Sequence, residues 1–125
     1  MNYKIFFSFV FIVSTCINVF ADEAGDLIRM HQVPHGGTHY ELPIPADQPD
    51  AYYDSVNQEI IIDGTGYVSY YDVEIMSLSD WTVVISTQVN GSYDTIDISS
   101  LPEGEYSITI DSPTGNSFEG FFDTY

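Results

Sequence analysis

Alternation of apolar and polar residues over short segments constrains the fold of this sequence more than any other feature. In EYSITID, the side chains of Tyr106, Ile108 and Ile110 alternate with Ser107 and Thr109, and YDTIDIS repeats the pattern. Successive side chains of a β-strand point to opposite faces, so this period predicts strands with one dry face and one wet face. Such strands are typical of antiparallel sheets.

Turn-forming residues separate the alternating segments. Asn90-Gly91 predicts a two-residue hairpin turn with positive φ. The segments 63–66, 102–104 and 113–116 predict further turns, and no segment after residue 21 has a helical period. The sequence therefore predicts an all-β sandwich or small barrel. Its expected core consists of Ile60, Ile62, Tyr71, Val73, Ile75, Ile85, Ile96, Ile98, Leu101, Tyr106, Ile108, Ile110, Phe118 and Phe122.

Residues 1–21 have the organisation of a cleaved secretory signal peptide. Lys4 precedes an apolar run from Ile5 to Val13, and Ala21 supplies the small residue that signal peptidase requires. The run is shorter than the ~20 residues that span a bilayer. We expect export to the periplasm, the outer membrane or the medium. Cys16 lies in a loose match to a bacterial lipobox, which makes a lipoprotein the alternative.

Residues 22–50 differ in composition from the remainder of the chain. They contain four of the six prolines and all three histidines. Proline lacks the amide hydrogen that a helix interior or a central strand requires. We therefore predict a proline-rich leader at 22–50, with at most an edge strand near His39–Leu42, followed by the sandwich at 51–125.

The charge balance restricts the partners. Removal of residues 1–21 leaves Arg29 against 19 acidic residues, a net charge of −18. This polyanion repels nucleic-acid phosphates and anionic membrane surfaces, which excludes both as partners. Cationic proteins and neutral glycans remain compatible, and weak binding of divalent cations stays open. No cysteine follows residue 21, so the predicted sandwich must be stable without disulfides.

The C-terminal block TIDISSLPEGEYSITIDSPTGNSFEGFF carries several motifs in a fixed order. An isoleucine-rich strand leads to a Leu101-Pro102-x-Gly104 turn, a Tyr106-x-Ile-x-Ile strand and a terminal strand with Gly120. This order resembles a family of small secreted immunoglobulin-like domains of unknown function from gut anaerobic Gram-negative bacteria. The resemblance spans about residues 51–122 and implies an immunoglobulin-like antiparallel β-sandwich of about seven strands.

The motif residues have structural roles in this interpretation. Leu101 closes the end of the sandwich, Pro102 directs the chain into the turn, and Gly104 supplies a positive φ. Tyr106 buries its ring and returns its hydroxyl to a backbone carbonyl, as in a tyrosine corner. The Leu-x-x-Gly-x-Tyr pattern also resembles sorting domains of the type IX secretion system. Those domains normally end in a basic tail, whereas FFDTY has no lysine, so this interpretation is second.

The histidines His31, His35 and His39 are spaced by four residues and raise the question of a metal site. Pro34 and the following glycine pair exclude a helix that would align them. On a strand, neighbouring histidines would stand about 13 Å apart. We therefore expect solvated histidines, no metal and no cofactor, with convergence in a tightly folded loop as the alternative.

No sequence motif indicates catalysis. The chain has no cysteine nucleophile after residue 21 and no Gly-x-Ser-x-Gly elbow, and its acidic residues miss the spacing of a calcium loop. Paired carboxylates without a predicted cleft do not indicate glycoside hydrolysis. We predict no catalytic residue and no enzymatic activity. A metal-dependent or hydrolase accessory protein is the alternative.

Binding and modification each have candidate residues. In YYDVEIMS, the side chains of Tyr70, Asp72 and Glu74 share one strand face, which the alternation predicts to be the outer one. A tyrosine beside carboxylates can stack on a sugar ring, although ordinary strand preference also explains it. The resemblance further implies O-glycosylation at Asp-Ser/Thr-aliphatic motifs, here at Ser55 and Thr95. The sequence thus predicts a non-catalytic module of the bacterial envelope or surface that binds a protein or a glycan.

Overall fold

The computed structural model describes residues 25–34 and 44–125 and shows two antiparallel sheets. These residues form only strands, turns and bends, so the predicted all-β class is confirmed. No helix within them is long and apolar enough to cross a membrane. Their nine strands are β1 (Asp26–Ile28), β2 (His31–Gln32), β3 (Asp50–Asp54), β4 (Glu59–Asp63), β5 (Tyr70–Ser77), β6 (Thr82–Asn90), β7 (Tyr93–Asp97), β8 (Gly104–Asp111) and β9 (Ser117–Thr124).

The strands form a four-stranded sheet in the order β1-β3-β4-β7 and a five-stranded sheet in the order β2-β9-β8-β5-β6. Every pairing is antiparallel. Two such sheets, packed through their apolar faces, form the predicted immunoglobulin-like β-sandwich. Strands β3 to β9 supply the seven that the resemblance implies, and β1 and β2 are additional.

The additional strands come from the segment that the prolines assign to a leader. β1 pairs with β3, where Ile28 lies opposite Ala51, and β2 pairs with β9, where His31 lies opposite Glu119. The sandwich therefore begins before residue 51, unlike the predicted boundary. Pro34 follows β2, and Pro45 and Pro49 precede β3, so none of these three prolines interrupts a strand. The edge strand predicted near His39–Leu42 and the signal at 1–21 lie outside the described residues.

The core lies between the sheets and follows the alternation. Twelve of the fourteen predicted core residues are buried, and Ile85 and Leu101 are half-buried against the others. Ile85 lies on β6 beside an irregularity, where the register shifts from Ile75–Ile85 to Met76–Val83. Four buried hydrophobic residues were not predicted: Ile28, Ala51, Tyr53 and Val89.

Asn90-Gly91 does not form the predicted hairpin turn. β6 and β7, which it connects, belong to different sheets, and neither residue has a positive φ. Gly91 is required instead by a close contact, since a Cβ built on it would lie 1.9 Å from the carbonyl oxygen of Val68. Its N–H donates to the Ser69 carbonyl at 3.0 Å, and its own carbonyl accepts from Gly66 N–H at 3.1 Å. The glycine therefore joins two loops where the chain crosses between the sheets.

Candidate binding surface

The outer face of the five-stranded sheet carries the predicted binding residues. Tyr70 is half-buried on β5, and Asp72 and Glu74 are exposed, while the residues between them are buried. The register places Asp72 opposite Asp111 on β8, and Gln88 on β6 donates to Asp72 Oδ1 at 3.2 Å. The three predicted residues therefore share the outer face, and their role in ligand binding stays a prediction.

Carboxylates dominate this outer face. Glu105 and Asp123 lie opposite each other on β8 and β9. Like charges placed directly opposite destabilise a sheet, so this arrangement is costly unless counter-ions or cationic groups approach it. The acidic residues on this face are Asp72, Glu74, Glu105, Asp111, Glu119 and Asp123.

One row across the same face carries no charge, and three of its four residues are apolar. The register aligns Val83 on β6 with Met76 on β5, Met76 with Ser107 on β8, and Ser107 with Phe121 on β9. Val83 is 47% exposed and Phe121 is 54% exposed. We call Val83, Met76 and Phe121 the apolar row; Ser107, between Met76 and Phe121, is polar and buried. Sequence reasoning missed it, although the burial of Phe118 and Phe122 predicts that Phe121 points outward.

A shallow aromatic cleft of about 190 Å³ adjoins Phe121 where β1 meets β9. Tyr125 closes one side: its ring packs edge-on against Tyr53 at 5.6 Å, and its hydroxyl donates to Asp26 Oδ2 at 2.7 Å. The hydrogen bond from the hydroxyl to the Asp26 carboxylate raises the pKa of Tyr125. Asp123 also lines the cleft, so exposed rings and carboxylate acceptors occur together.

His31 is the one predicted histidine within the described residues. It lies on β2, with Nε2 3.7 Å from Glu119 Oε1 and its ring centroid 6.5 Å from that of Phe121. His35 and His39 lie outside the described residues. Within residues 25–34 and 44–125, no three His, Cys, Asp or Glu side chains are grouped so that they could hold a metal ion.

A buried carboxylate connects the N-terminal segment to the turn between β8 and β9. Asp47 accepts hydrogen bonds from Thr114 Oγ1 at 2.5 Å and from Asn116 Nδ2 at 3.1 Å. Asn116 in turn accepts from Gln32 Nε2 at 3.1 Å, and the Asp47 carbonyl accepts from the Tyr71 hydroxyl at 2.7 Å. All these contacts hold one part of the fold against another, so the role of Asp47 is structural.

Asp47 also makes the stability depend on pH. Burial raises the pKa of Asp47, but hydrogen bonds from Thr114, Ser112 and Asn116 outweigh it and hold the pKa below its ordinary value. A carboxyl whose pKa is lower in the folded state stabilises the fold above its unfolded pKa. That contribution is lost as the pH falls through the folded pKa.

We expect Asp47→Asn to lower the free energy of unfolding at neutral pH by about 1–3 kcal/mol, because a charged acceptor is lost from buried hydrogen bonds. The difference from wild type should shrink as the pH falls below about 4, where the unfolded carboxyl becomes protonated. Urea unfolding across this range measures both effects. Asp50→Asn, at an exposed residue nearby, is the control. A deficit for Asp47→Asn that is the same at every pH would contradict the assignment.

Ser55 and Thr95, the predicted glycosylation sites, are both exposed. The aspartates that precede them have structural partners. Asp54 Oδ1 accepts from the Val56 and Asn57 amides at 3.0 and 3.1 Å, which shapes the turn between β3 and β4. Asp94 Oδ1 likewise accepts from the Thr95 amide at 2.8 Å. These aspartates are explained by the fold alone, and glycosylation stays a prediction.

Leu101, Pro102 and Gly104 lie where the chain enters β8, and Tyr106 on β8 acts as a tyrosine corner. Its ring is buried and stacks on Phe122 at 5.6 Å, and its hydroxyl donates to the Pro102 carbonyl at 2.5 Å. Leu101 is half-buried against the core. Gly104, however, begins β8 without a positive φ, so the reason predicted for this glycine is wrong.

Gly120 has a packing role that the motif did not indicate. A Cβ built on it would lie 2.6 Å from Met30 Sδ, 2.8 Å from Ile28 Cγ2 and 3.0 Å from the Arg29 carbonyl oxygen. The absent side chain therefore leaves room for the segment that links β1 to β2. This contact holds the N-terminal segment close to β9.

Comparison with known proteins identifies the fold. No protein-family description and no curated protein match the sequence. The chain is similar to a solved DUF3244 family protein with an immunoglobulin-like β-sandwich fold from Bacteroides vulgatus, at 14% identity and a TM-score of 0.63. The similarity covers 98% of that chain and 80% of this one, a larger share than residues 51–125 supply. It confirms, at the level of the fold, the resemblance inferred from the C-terminal motifs: this chain is an immunoglobulin-like β-sandwich.

Proposed function

We propose that this chain is an exported, non-catalytic interaction module of the bacterial envelope or surface. The observation that carries the proposal is the apolar row, in which Val83 and Phe121 are exposed between rows of carboxylates. Apolar side chains at the centre of a polar surface are typical of sites that bind another protein. The module therefore binds a protein partner through the outer face of the five-stranded sheet.

Two of the carboxylates with lowered pKa, those that are buried, support a non-catalytic role. For Asp47 and Asp54, burial raises the pKa, and hydrogen bonds from neighbouring turn residues outweigh it. A catalytic carboxyl more often has its pKa tuned toward the working pH. In this chain both groups stabilise turns and contacts between segments, as structural carboxylates do.

The partner must match both the shape and the charge of this surface. Val83 and Phe121 present apolar area, while Glu74 and Glu119 border the row on one side and Glu105 and Asp123 on the other. A complementary protein has an apolar centre flanked by lysine and arginine. Such complementarity raises the association rate and excludes acidic partners.

Site-specific photo-crosslinking in the bacterium that makes the protein tests this proposal. A photo-crosslinking amino acid in place of Phe121 is expected to give a discrete adduct with one protein. The same amino acid in place of Tyr67, which is 67% exposed in the loop between β4 and β5, is the matched control. Absence of an adduct from position 121, or the same adducts from both positions, would contradict the proposal. Fractionation of the same cells tests the proposed export.

A glycan is the second candidate ligand, and the aromatic cleft favours it. Phe121 and Tyr125, 54% and 70% exposed, lie beside the carboxylates of Asp26 and Asp123. Rings that stack on a sugar and acids that accept its hydroxyl hydrogens suit a neutral oligosaccharide. A glycan array with wild type and Tyr125→Ala separates the candidates: binding that the substitution removes favours the glycan, and a blank array leaves the protein partner.

A further inference from the structure

The four edge strands of the sandwich are unequally protected against pairing with another chain. Within the described residues, β1 and β2 have three and two residues, and β7 carries Asp94 and Asp97. Short or charged edges discourage the addition of a further strand. β6 is different: its nine residues, TVVISTQVN, include no charge and no proline. An unprotected edge in an otherwise protected sandwich indicates a strand that pairs with another chain.

Alternate backbone amides of β6 point away from β5, toward the edge of the sheet. The Asn90 N–H, at the end of the strand, donates to Asp94 Oδ2 at 2.9 Å and so points away from β5. Backbone amides of an antiparallel strand point alternately to its two sides. The N–H groups of Gln88 and Ser86 therefore point the same way as that of Asn90. Both residues are exposed, and within residues 44–125 neither amide donates to a loop or turn carbonyl.

Side chains around β6 favour a partner with its own apolar residues. Val84 is 38% exposed, and Trp81, at the start of the edge, is 71% exposed. Trp81 also has a φ of 59°, a left-handed conformation that is uncommon for a bulky residue. The apolar row reaches this same edge at Val83, so edge and outer face form one continuous surface.

The charges around β6 determine which kind of chain it accepts. A cleft of about 360 Å³ between β6 and β7 is lined by Asp94 and Asp97. On the other side, Glu74 lies behind Ser86, within reach of a lysine on an added strand two strand spacings, about 10 Å, away. A second copy of this acidic chain would bring both sets of carboxylates together, whereas a basic segment neutralises them.

We propose that β6 accepts an extended, lysine- or arginine-bearing segment of the partner protein, which adds a sixth strand to the five-stranded sheet. Backbone hydrogen bonds to the outward amides supply the affinity, and the flanking carboxylates select basic side chains. This inference rests on the proposed protein partner and specifies how part of that partner binds.

The test uses the full mature chain and a synthetic nine-residue peptide in which lysine alternates with valine. Hydrogen exchange at the Ser86 and Gln88 amides should slow about tenfold at saturation, because both become hydrogen-bonded. Ser86→Pro removes one outward N–H and should weaken binding at least about tenfold, whereas Ser86→Ala should bind like wild type. Val84→Lys keeps the backbone amides intact and should also weaken peptide binding, by charge repulsion. It tests the proposal even if Ser86→Pro fails to fold.

Each other outcome overturns the inference. Equally tight binding of a peptide with glutamate in place of lysine would show that β6 does not select basic segments. Hydrogen exchange in β6 that is the same with and without peptide would contradict strand addition. Peptide binding by Ser86→Pro and Val84→Lys as tight as that of wild type would also contradict it. Concentration-dependent dimers that protect β6 without peptide would assign the edge to a second copy. If position 121 yields its adduct while the peptide leaves β6 unprotected, the strand addition fails and the proposed function stands.

Discussion

Ile108→Asp is expected to abolish folding of this domain. Ile108 is 0% exposed at the centre of β8, where it lies opposite Ile75 on one side and Gly120 on the other. The substitution forfeits about 1.5–3 kcal/mol of apolar burial and adds several kcal/mol for a carboxylate held away from water. The total stability of a small domain is only about 5–15 kcal/mol. No alternative register rescues the strand, since a shift by one residue would bury Thr109 and expose Tyr106.

Far-ultraviolet circular dichroism and thermal unfolding of the purified protein measure this effect. Val83→Asp, the same kind of change at an exposed residue of the same sheet, is the control and should keep a cooperative melt close to that of wild type. A cooperative transition for Ile108→Asp near the wild-type midpoint would show that the inner and outer faces of β8 are wrongly assigned.

Gly91→Ala is expected to lower the free energy of unfolding by about 3 kcal/mol or more, a large effect for one methyl group. The added Cβ would lie 1.9 Å from the Val68 carbonyl oxygen and 2.8 Å from its carbonyl carbon. Both are backbone atoms, so no side-chain rotation relieves the overlap. Separation of the two loops would also break the hydrogen bonds that Gly91 makes to Ser69 and Gly66.

Gly104→Ala is the matched control for this prediction. A Cβ at Gly104 would meet only the ring of Tyr106, at 3.9 Å, and its backbone has no positive φ. We therefore expect a change within about 0.5 kcal/mol, the usual range for unstrained surface sites. Urea unfolding of the two variants measures which substitution lowers the free energy of unfolding more. A greater loss for Gly104→Ala would restore the turn role predicted from the motif and contradict the packing role of Gly91.

The alternation in the sequence was sufficient to predict the fold class and most of the core. Tyr71, Val73 and Ile75 are buried as their spacing indicates, because side-chain direction in a strand is a local property. Asn90-Gly91 was misleading because hairpin propensity is also local, while the sheet that each flanking strand joins depends on distant partners. The N-terminal segment was missed because two short strands hold only Ile28 as a buried apolar signal.

The candidate surface was predictable only in part. Alternation placed Tyr70, Asp72 and Glu74 on an outer face, since that requires one strand alone. The apolar row requires the order β6-β5-β8-β9, which brings Val83 and Phe121, 38 residues apart in sequence, onto one line. No period in the sequence encodes that order. The exposed edge of β6 is likewise a property of topology, because any uncharged strand could equally have been central.

The pairing of β2 with β9 also has a kinetic consequence. His31 pairs with Glu119, which lies 88 positions later in the sequence, so the contacts that complete this edge of the five-stranded sheet require β9. Pairings this distant carry a high loop-closure entropy and slow the search for the native state. Before β9 has joined the sheet, the uncharged strand β6 can pair with a strand of a neighbouring nascent chain. The dense negative charge of the remaining polypeptide then keeps such unfinished molecules apart.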